Sequence, residues 1–218
     1  TKFFFFITIA SITSSVFIHF DIVILGLLLE GTELIGFYQV ASTIVISIAA
    51  IISFGNVSLP VFTQLQSREL VNSFRKFFHY SALLSIPISF GLPFVAGPFI
   101  ALLFGAEYLQ AVLPLRILSF LVFESATGMF FTVILAAKEK PQEIAKFMLI
   151  ANVLNIALSF ILVTQLAQIK PEYGLLGAAI AVVISRYFYL ISLMHTAKKK
   201  FSITIDKSSI YKPVLAGI

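Results

Sequence analysis

The stretch FFFFITIASITSSVFIHFDIVILGLLL, residues Phe3–Leu29, decides the fold. About 20 apolar residues suffice to cross a bilayer, so this stretch predicts a transmembrane helix. Its single acid, Asp21, costs about 2.5–3.5 kcal/mol inside such a helix and must face a bundle interior or a watery cavity. We therefore expect Asp21, with Ser14 on the same face, to mark an inward-facing functional stripe. The alternative is that a neighbouring side chain satisfies the acid for packing alone.

The composition of the whole chain is that of a membrane protein. Of the 218 residues, 59% are hydrophobic and 11% are charged, and the mean hydropathy is +1.03. Soluble domains are about 45–50% apolar and about 25% charged. The absence of cysteine excludes disulfides and thiolate chemistry. Because the chain starts at Thr1 and ends in a new apolar run, 211–218, we expect a fragment of a longer protein.

Six apolar segments are predicted to cross the membrane, with boundaries good to about 2–4 residues. They are residues 3–29, 35–60, 77–104, 111–137, 144–166 and 174–195. The fold class is therefore all-α, with residues 1–210 forming a polytopic six-helix transmembrane bundle and 211–218 starting a further membrane helix. The connections leave no room for a soluble domain.

The basic residues fall almost entirely on one side of these spans. The other side has only Lys170, beside four glutamates, and two arginines lie inside spans. The positive-inside rule then places both ends of the chain in the cytoplasm, in a multi-pass protein of the cytoplasmic membrane. This placement also argues against nucleic acid as the reason for the net charge of +5. The twelve basic residues of the first side are Lys2, Arg68, Arg75, Lys76, Lys138, Lys140, Lys146, Lys198, Lys199, Lys200, Lys207 and Lys212.

The third span and the connection before it carry two local signals. Pro87, Pro93 and Pro98 each remove a backbone hydrogen bond, so we expect a kink or break between the first and the last of them. This kink is either static or a bending element of a transporter. The basic connection, residues 67–80, places phenylalanines on one side and cations on the other. It is interpreted as a short helix on the inner leaflet, or else as an ordinary loop.

Three further charged residues lie inside spans: Arg116, Glu124 and Arg186. The first two are eight residues apart, about 12 Å along a helix, so they do not pair and each needs another partner or water. Asn152 and Asn155 lie on one polar stripe of the fifth span, for which interhelical hydrogen bonding is the favoured interpretation.

The sixth span carries small residues at Gly174, Gly177, Ala181 and Ser185. This stripe predicts close approach of another helix. Arg186 lies about 100° away from Ser185 round the helix and can face a different neighbour or a cavity. On the second span, Tyr38 suits an interfacial aromatic belt.

Neither a cofactor nor a metal is expected, and the chain is not predicted to be an enzyme. No glycine-rich phosphate loop occurs, and His19, His79 and His195 do not have metal-ligand spacing. No connection is large enough to build a catalytic site from a serine or an acid pair.

Several patterns, taken in their order and spacing, resemble a known family. They are Asp21–Gly26 followed by Glu30–Ala41, Pro60-Val-Phe62, Leu103-Phe-Gly-Ala-Glu-Tyr108, Lys140-Pro141, Asn152-Val-Leu-Asn155 and Gly174–Ala181. With them the chain resembles the C-terminal half of the polysaccharide or O-antigen flippases of the MOP exporter superfamily. That resemblance implies two six-helix lobes around a central cavity, the N-terminal lobe being absent from this chain.

The resemblance further implies flipping of a polyprenyl- or dolichyl-(di)phosphate-linked oligosaccharide across the membrane for glycan export. The implied partners are the bilayer, this lipid-linked glycan and the missing lobe. Cavity arginines would hold phosphate, amides would bind sugars, and acids would balance the arginines or couple a cation gradient. The candidate cavity residues are Asp21, Arg116, Glu124, Asn152, Asn155 and Arg186. Two alternatives remain, a cation-coupled multidrug antiporter and a membrane-embedded polysaccharide polymerase.

Overall fold

The computed structural model describes residues 8, 20–29, 31–53, 67–138 and 140–201. Every regular element in these ranges is helical, which confirms the predicted all-α class. Ser14, His19 and the further helix expected at 211–218 lie outside the described residues. The elements are α1 (residues 20–28), α2 (Thr32–Ile52), α3 (Ser67–Phe104), a 3-10 helix (Ala106–Ala111), α4 (Val112–Leu118), α5 (Leu121–Ala137), α6 (Pro141–Ala167) and α7 (Tyr173–Phe201).

Four of the described helices are long and apolar enough to cross a membrane. They are α2, α6, most of α7 and the segment Val71–Phe104 of α3. The segments Ala106–Leu118 and Leu121–Ala136 make a fifth candidate span, which is bent by 43°. The chain is therefore a polytopic helical membrane protein, as predicted. Which side of the membrane its ends face stays a prediction.

Two of the sequence motifs have a local structural cause. Gly105 ends α3 with a φ of 94°, a conformation that residues with a Cβ rarely adopt. The chain then turns into the 3-10 helix, where the Tyr108 ring packs edge-on against Phe37 of α2. Pro141 is the first residue of α6, a position at which a missing N–H costs no helical hydrogen bond.

The separate inner-leaflet helix predicted for residues 67–80 is wrong, because this segment is the continuous beginning of α3. Two phenylalanines of its apolar side pack against protein. Phe74 and Phe78 are buried, and the Phe74 ring lies 5.1 Å from that of Phe131 on α5. Burial of these aromatic rings against α5 stabilises a longer third span. A turn followed by a separate surface helix would leave the rings without this packing.

The predicted close packing of the sixth span is confirmed at Gly177. A Cβ at this position would lie 2.6–2.7 Å from backbone atoms of Leu162 and Val163 on α6. Only glycine therefore permits the observed separation of α6 and α7. One turn earlier, Gly174 packs against the side chain of Leu29, just beyond α1.

A break in the third span is wrong, because α3 is helical through all three prolines, while a kink within that helix stays a prediction. Pro93 cannot donate a backbone hydrogen bond to the carbonyl of Ser89 four residues earlier. Instead, the Ser119 hydroxyl, which donates to Arg116 O at 2.7 Å, also lies 3.2 Å from Ser89 O. The hydroxyl at the junction of α4 and α5 is thus shared between two carbonyls, one of them the carbonyl that lacks a donor, and such neighbouring groups are how membrane helices tolerate proline.

The discontinuity lies instead in the fourth span, between α4 and α5. Here the N–H of Phe123, which lacks a helical partner near the start of α5, donates to the Ser89 hydroxyl at 2.9 Å. The Tyr187 hydroxyl of α7 donates to Phe120 O at 3.0 Å. The break is therefore held by side chains from two neighbouring helices.

Replacement of Ser89 by alanine is expected to lower the free energy of unfolding by about 1 kcal/mol, because it removes a helix cap inside the bundle. Ser192→Ala is the matched control, since that hydroxyl donates only to Phe188 of its own helix. Thermal unfolding of the intact protein in detergent measures both. Equal stabilities of the two variants would contradict the assigned role of Ser89.

Candidate functional site

The first part of the site is a hydrogen-bonded carboxylate that connects three helices. Asn155 Nδ2 of α6 donates to Asp21 Oδ1 at 2.8 Å, and the Tyr38 hydroxyl of α2 donates to Oδ2 at 3.2 Å. Ser159 in turn donates to Asn155 Oδ1 at 3.4 Å. Asp21 is buried, with 4% of its surface exposed. Asn155 thus makes the interhelical hydrogen bond that was predicted for the asparagine stripe. Asn152 is buried one turn away on the same helix.

The second part is an ion pair between α5 and α7. Arg186 Nε lies 3.0 Å from Glu124 Oε2, and the two side chains are 23% and 3% exposed. Ser125 bridges them, because it accepts from Arg186 Nη2 and donates to Glu124 Oε2, each at 3.3 Å. Of the two acids expected to balance the cavity arginines, Glu124 is therefore the one that pairs with Arg186.

Both parts meet at one pocket of about 80 Å³. Arg186 lies near the middle of α7, and Asn155, which contacts Asp21, near the middle of α6. The pocket is thus far from the ends of these spans, at a depth where charged groups are expensive. It is lined by Asp21, Tyr38, Ser42, Val45, Ile46, Leu118, Leu121, Ser125, Val182 and Arg186.

The structure does not bring every candidate residue to this pocket. Arg116 is exposed, its Nε donates to Pro93 O at 3.1 Å, and it does not line the pocket. Neither Asn152 nor Asn155 lines it either. Within the described residues, no three His, Cys, Asp or Glu side chains gather in a group that could hold a metal ion.

Sequence reasoning missed three hydroxyl groups of the pocket, those of Tyr38, Ser42 and Ser125. Tyr38 was expected at the membrane interface, but it is 2% exposed and bonded to Asp21. Tyr38 lies near the start of its span, where aromatic residues often lie at the membrane interface. Nothing in the sequence around Tyr38 indicates that its hydroxyl bonds to an acid on another helix. Ser42 lies four residues after Tyr38, on the same face of α2, which is the one usable signal.

The pocket is mixed in character, with apolar walls and a few polar groups that converge on one space. This arrangement is typical of binding sites for small polar groups. At about 80 Å³ it is smaller than the roughly 300–1,000 Å³ of pockets that enclose a whole small-molecule ligand. Its size suits part of a ligand rather than a whole one.

Comparison with known proteins identifies the family. A family model described as "Polysaccharide biosynthesis protein" matches residues 1–113, just over half of the 218 residues. The matched segment includes Asp21, Tyr38 and Ser42 of the pocket and the whole of α3. No curated protein and no solved structure gives a significant match. The chain belongs to the family of polysaccharide biosynthesis proteins.

Proposed function

We propose that this chain is the C-terminal lobe of a flippase that moves a polyprenyl- or dolichyl-linked oligosaccharide across the cytoplasmic membrane. The observation that carries the proposal is the pocket of Asp21, Arg186 and three hydroxyl groups near mid-depth of a helical bundle. A membrane protein of polysaccharide biosynthesis that only anchored a partner would have no need for such groups, which are costly at this depth.

The nature of the substrate explains why a polar pocket is useful there. A lipid-linked glycan has a long apolar tail that remains in the bilayer and a polar head that must pass the hydrocarbon core. Polar groups of the protein can replace the water that the head gives up during the passage. The second lobe would complete the cavity, as in the MOP exporters that the sequence resembles.

The test uses the intact protein in proteoliposomes with a fluorescent lipid-linked oligosaccharide placed in one leaflet. We expect the glycan to become accessible in the opposite leaflet in the presence of the protein. Ser42→Phe, whose ring would occupy the pocket, should abolish most of this transfer. Ser192→Phe, at a serine that does not line the pocket, should not.

Two results would contradict the proposal. Elongation of the glycan without transfer between leaflets would indicate a polymerase. Export of cationic drugs without transfer of the lipid-linked glycan would indicate an antiporter. If both serine variants transfer the glycan as the wild type does, the pocket is not on the path of the substrate.

A further inference from the structure

We infer that the pocket binds hydrogen-bond donors of the glycan, the hydroxyl or amino groups of its sugars, and not its phosphate. The inference rests on the proposed function, since it assigns one part of the flippase substrate to this pocket. It replaces the expectation from sequence that Arg186 contacts phosphate.

The first argument is the use of the hydroxyl protons. Tyr38 donates to Asp21, Ser42 donates to the Gln39 carbonyl at 3.0 Å, and Ser125 donates to Glu124. A hydroxyl has one proton and two lone pairs, so these three groups retain acceptor capacity only. At these three hydroxyls a ligand therefore finds oxygen lone pairs, which a phosphate oxygen cannot use and a sugar hydroxyl can.

The second argument is the balance of charge. Arg186, which lines the pocket, contacts Glu124 behind it at 3.0 Å, and Asp21 is the acid that lines the pocket itself. The formal charge of the three groups is negative when all are ionised. A phosphate would meet one guanidinium already engaged with a carboxylate, and two carboxylates that repel it. The guanidinium also donates a hydrogen bond from Nη2 to the Ser125 hydroxyl.

The third argument is size and lining. The pocket of about 80 Å³ suits a hydroxyl or hydroxymethyl group with its neighbouring carbons. The apolar walls of the pocket are formed by Val45, Leu118 and Val182. Such walls can pack against the C–H face of a sugar ring, whereas a phosphate would lose its hydration there. Asp21 and Ser42 are the acceptors that we assign to the sugar.

The experiment compares three substrates with the same lipid and the same diphosphate in proteoliposomes of the intact protein. One carries the natural glycan, the second its O-methylated form and the third a deoxy form. Methylation keeps the oxygen acceptors but removes the donors, and the deoxy form removes donors without added bulk. Wild-type protein should flip both altered substrates about five- to tenfold more slowly than the natural one, as expected for a lost hydrogen bond in a site of low polarity.

Ser42→Ala removes one acceptor. It should slow the natural substrate by a similar factor and reduce the preference for it over the altered substrates. Ser192→Ala, with its hydroxyl bonded within its own helix away from the pocket, should leave both the rate and the preference unchanged. If Ser42→Ala fails to fold, the wild-type preference among the three substrates still decides the matter.

The possible outcomes separate this inference from the proposed function. If the wild type flips none of the three substrates, the proposed function is wrong and the inference goes with it. If it flips all three equally well, the flippase stands and the inference is wrong. If Ser42→Ala alters a requirement for Na⁺ while the sugar preference is kept, the pocket takes an inorganic cation and the inference is again wrong.

Discussion

Replacement of Arg186 by alanine is expected to destabilise the intact protein by about 3–5 kcal/mol, the usual cost of removing one partner of a buried ion pair. Glu124 is 3% exposed and lies 3.0 Å from the arginine, so the variant would leave a carboxylate buried without its cation. Thermal unfolding in detergent and the amount of protein in the membrane measure the loss. Arg116→Ala is the matched control, since Arg116 is an exposed arginine with one backbone hydrogen bond, and it should change stability by no more than about 1 kcal/mol.

The double variant Glu124→Gln with Arg186→Met separates structure from function. Both charges are removed and the volume is nearly kept, so most of the lost stability should return. Transport should remain reduced, because the pocket has lost its charged wall. Full transport by the double variant would mean that the pair only holds α5 to α7. A fully stable Arg186→Ala protein would mean that the pair contributes nothing to the fold.

The burial of Asp21 and Glu124 could be predicted from the sequence, but the helices that supply their partners could not. An acid at mid-depth of an apolar span must face inward because lipid exposure is too costly, and Asp21 and Glu124 are both buried. Partner choice depends on which helices are neighbours. Asp21 and Asn155 are 134 residues apart in the chain, and no periodic pattern links two helices at that separation.

The prolines show why counting helix breakers within one helix predicted a break in the third span, whereas the break lies in the fourth. Each proline removes one hydrogen bond from its own helix, but the cost depends on whether a neighbour supplies another donor. Ser119 lies beside the carbonyl that Pro93 leaves without a donor, and α3 stays helical. The break lies at Ser119 and Phe120, where neither residue is a helix breaker. It is stabilised by Ser89 and Tyr187, which lie on other helices.

The small-residue stripe was predictable because packing of membrane helices depends on it directly. The same stripe gives the second large effect, at Gly177. Alanine there would place its Cβ 2.6–2.7 Å from the backbone of α6, so the two helices must separate. We expect a loss at or above the upper end of the range for overpacked sites, about 1–3 kcal/mol. Gly91→Ala, where a Cβ would have no neighbour within 4 Å, should not destabilise the protein.

Separation of α6 and α7 should also disturb the site, because α6 carries Asn155 and α7 carries Arg186. Transport by Gly177→Ala should therefore fall further than its loss of stability explains, when both are measured at a temperature where the variant is folded. Transport at the wild-type rate by a folded Gly177→Ala protein would show that the pocket tolerates the shift.

A comparison of two glycines on α7 makes the packing argument specific. At Gly174 the added Cβ would meet the side chain of Leu29, 2.8 Å from its Cδ2, whereas at Gly177 it would meet backbone. A side chain can be shortened and a backbone cannot. Leu29→Ala should therefore recover much of the stability lost in Gly174→Ala, while Leu162→Ala should recover none of that lost in Gly177→Ala. Rescue of Gly177→Ala by Leu162→Ala would mean that the contact is between side chains and that α6 and α7 are further apart than described.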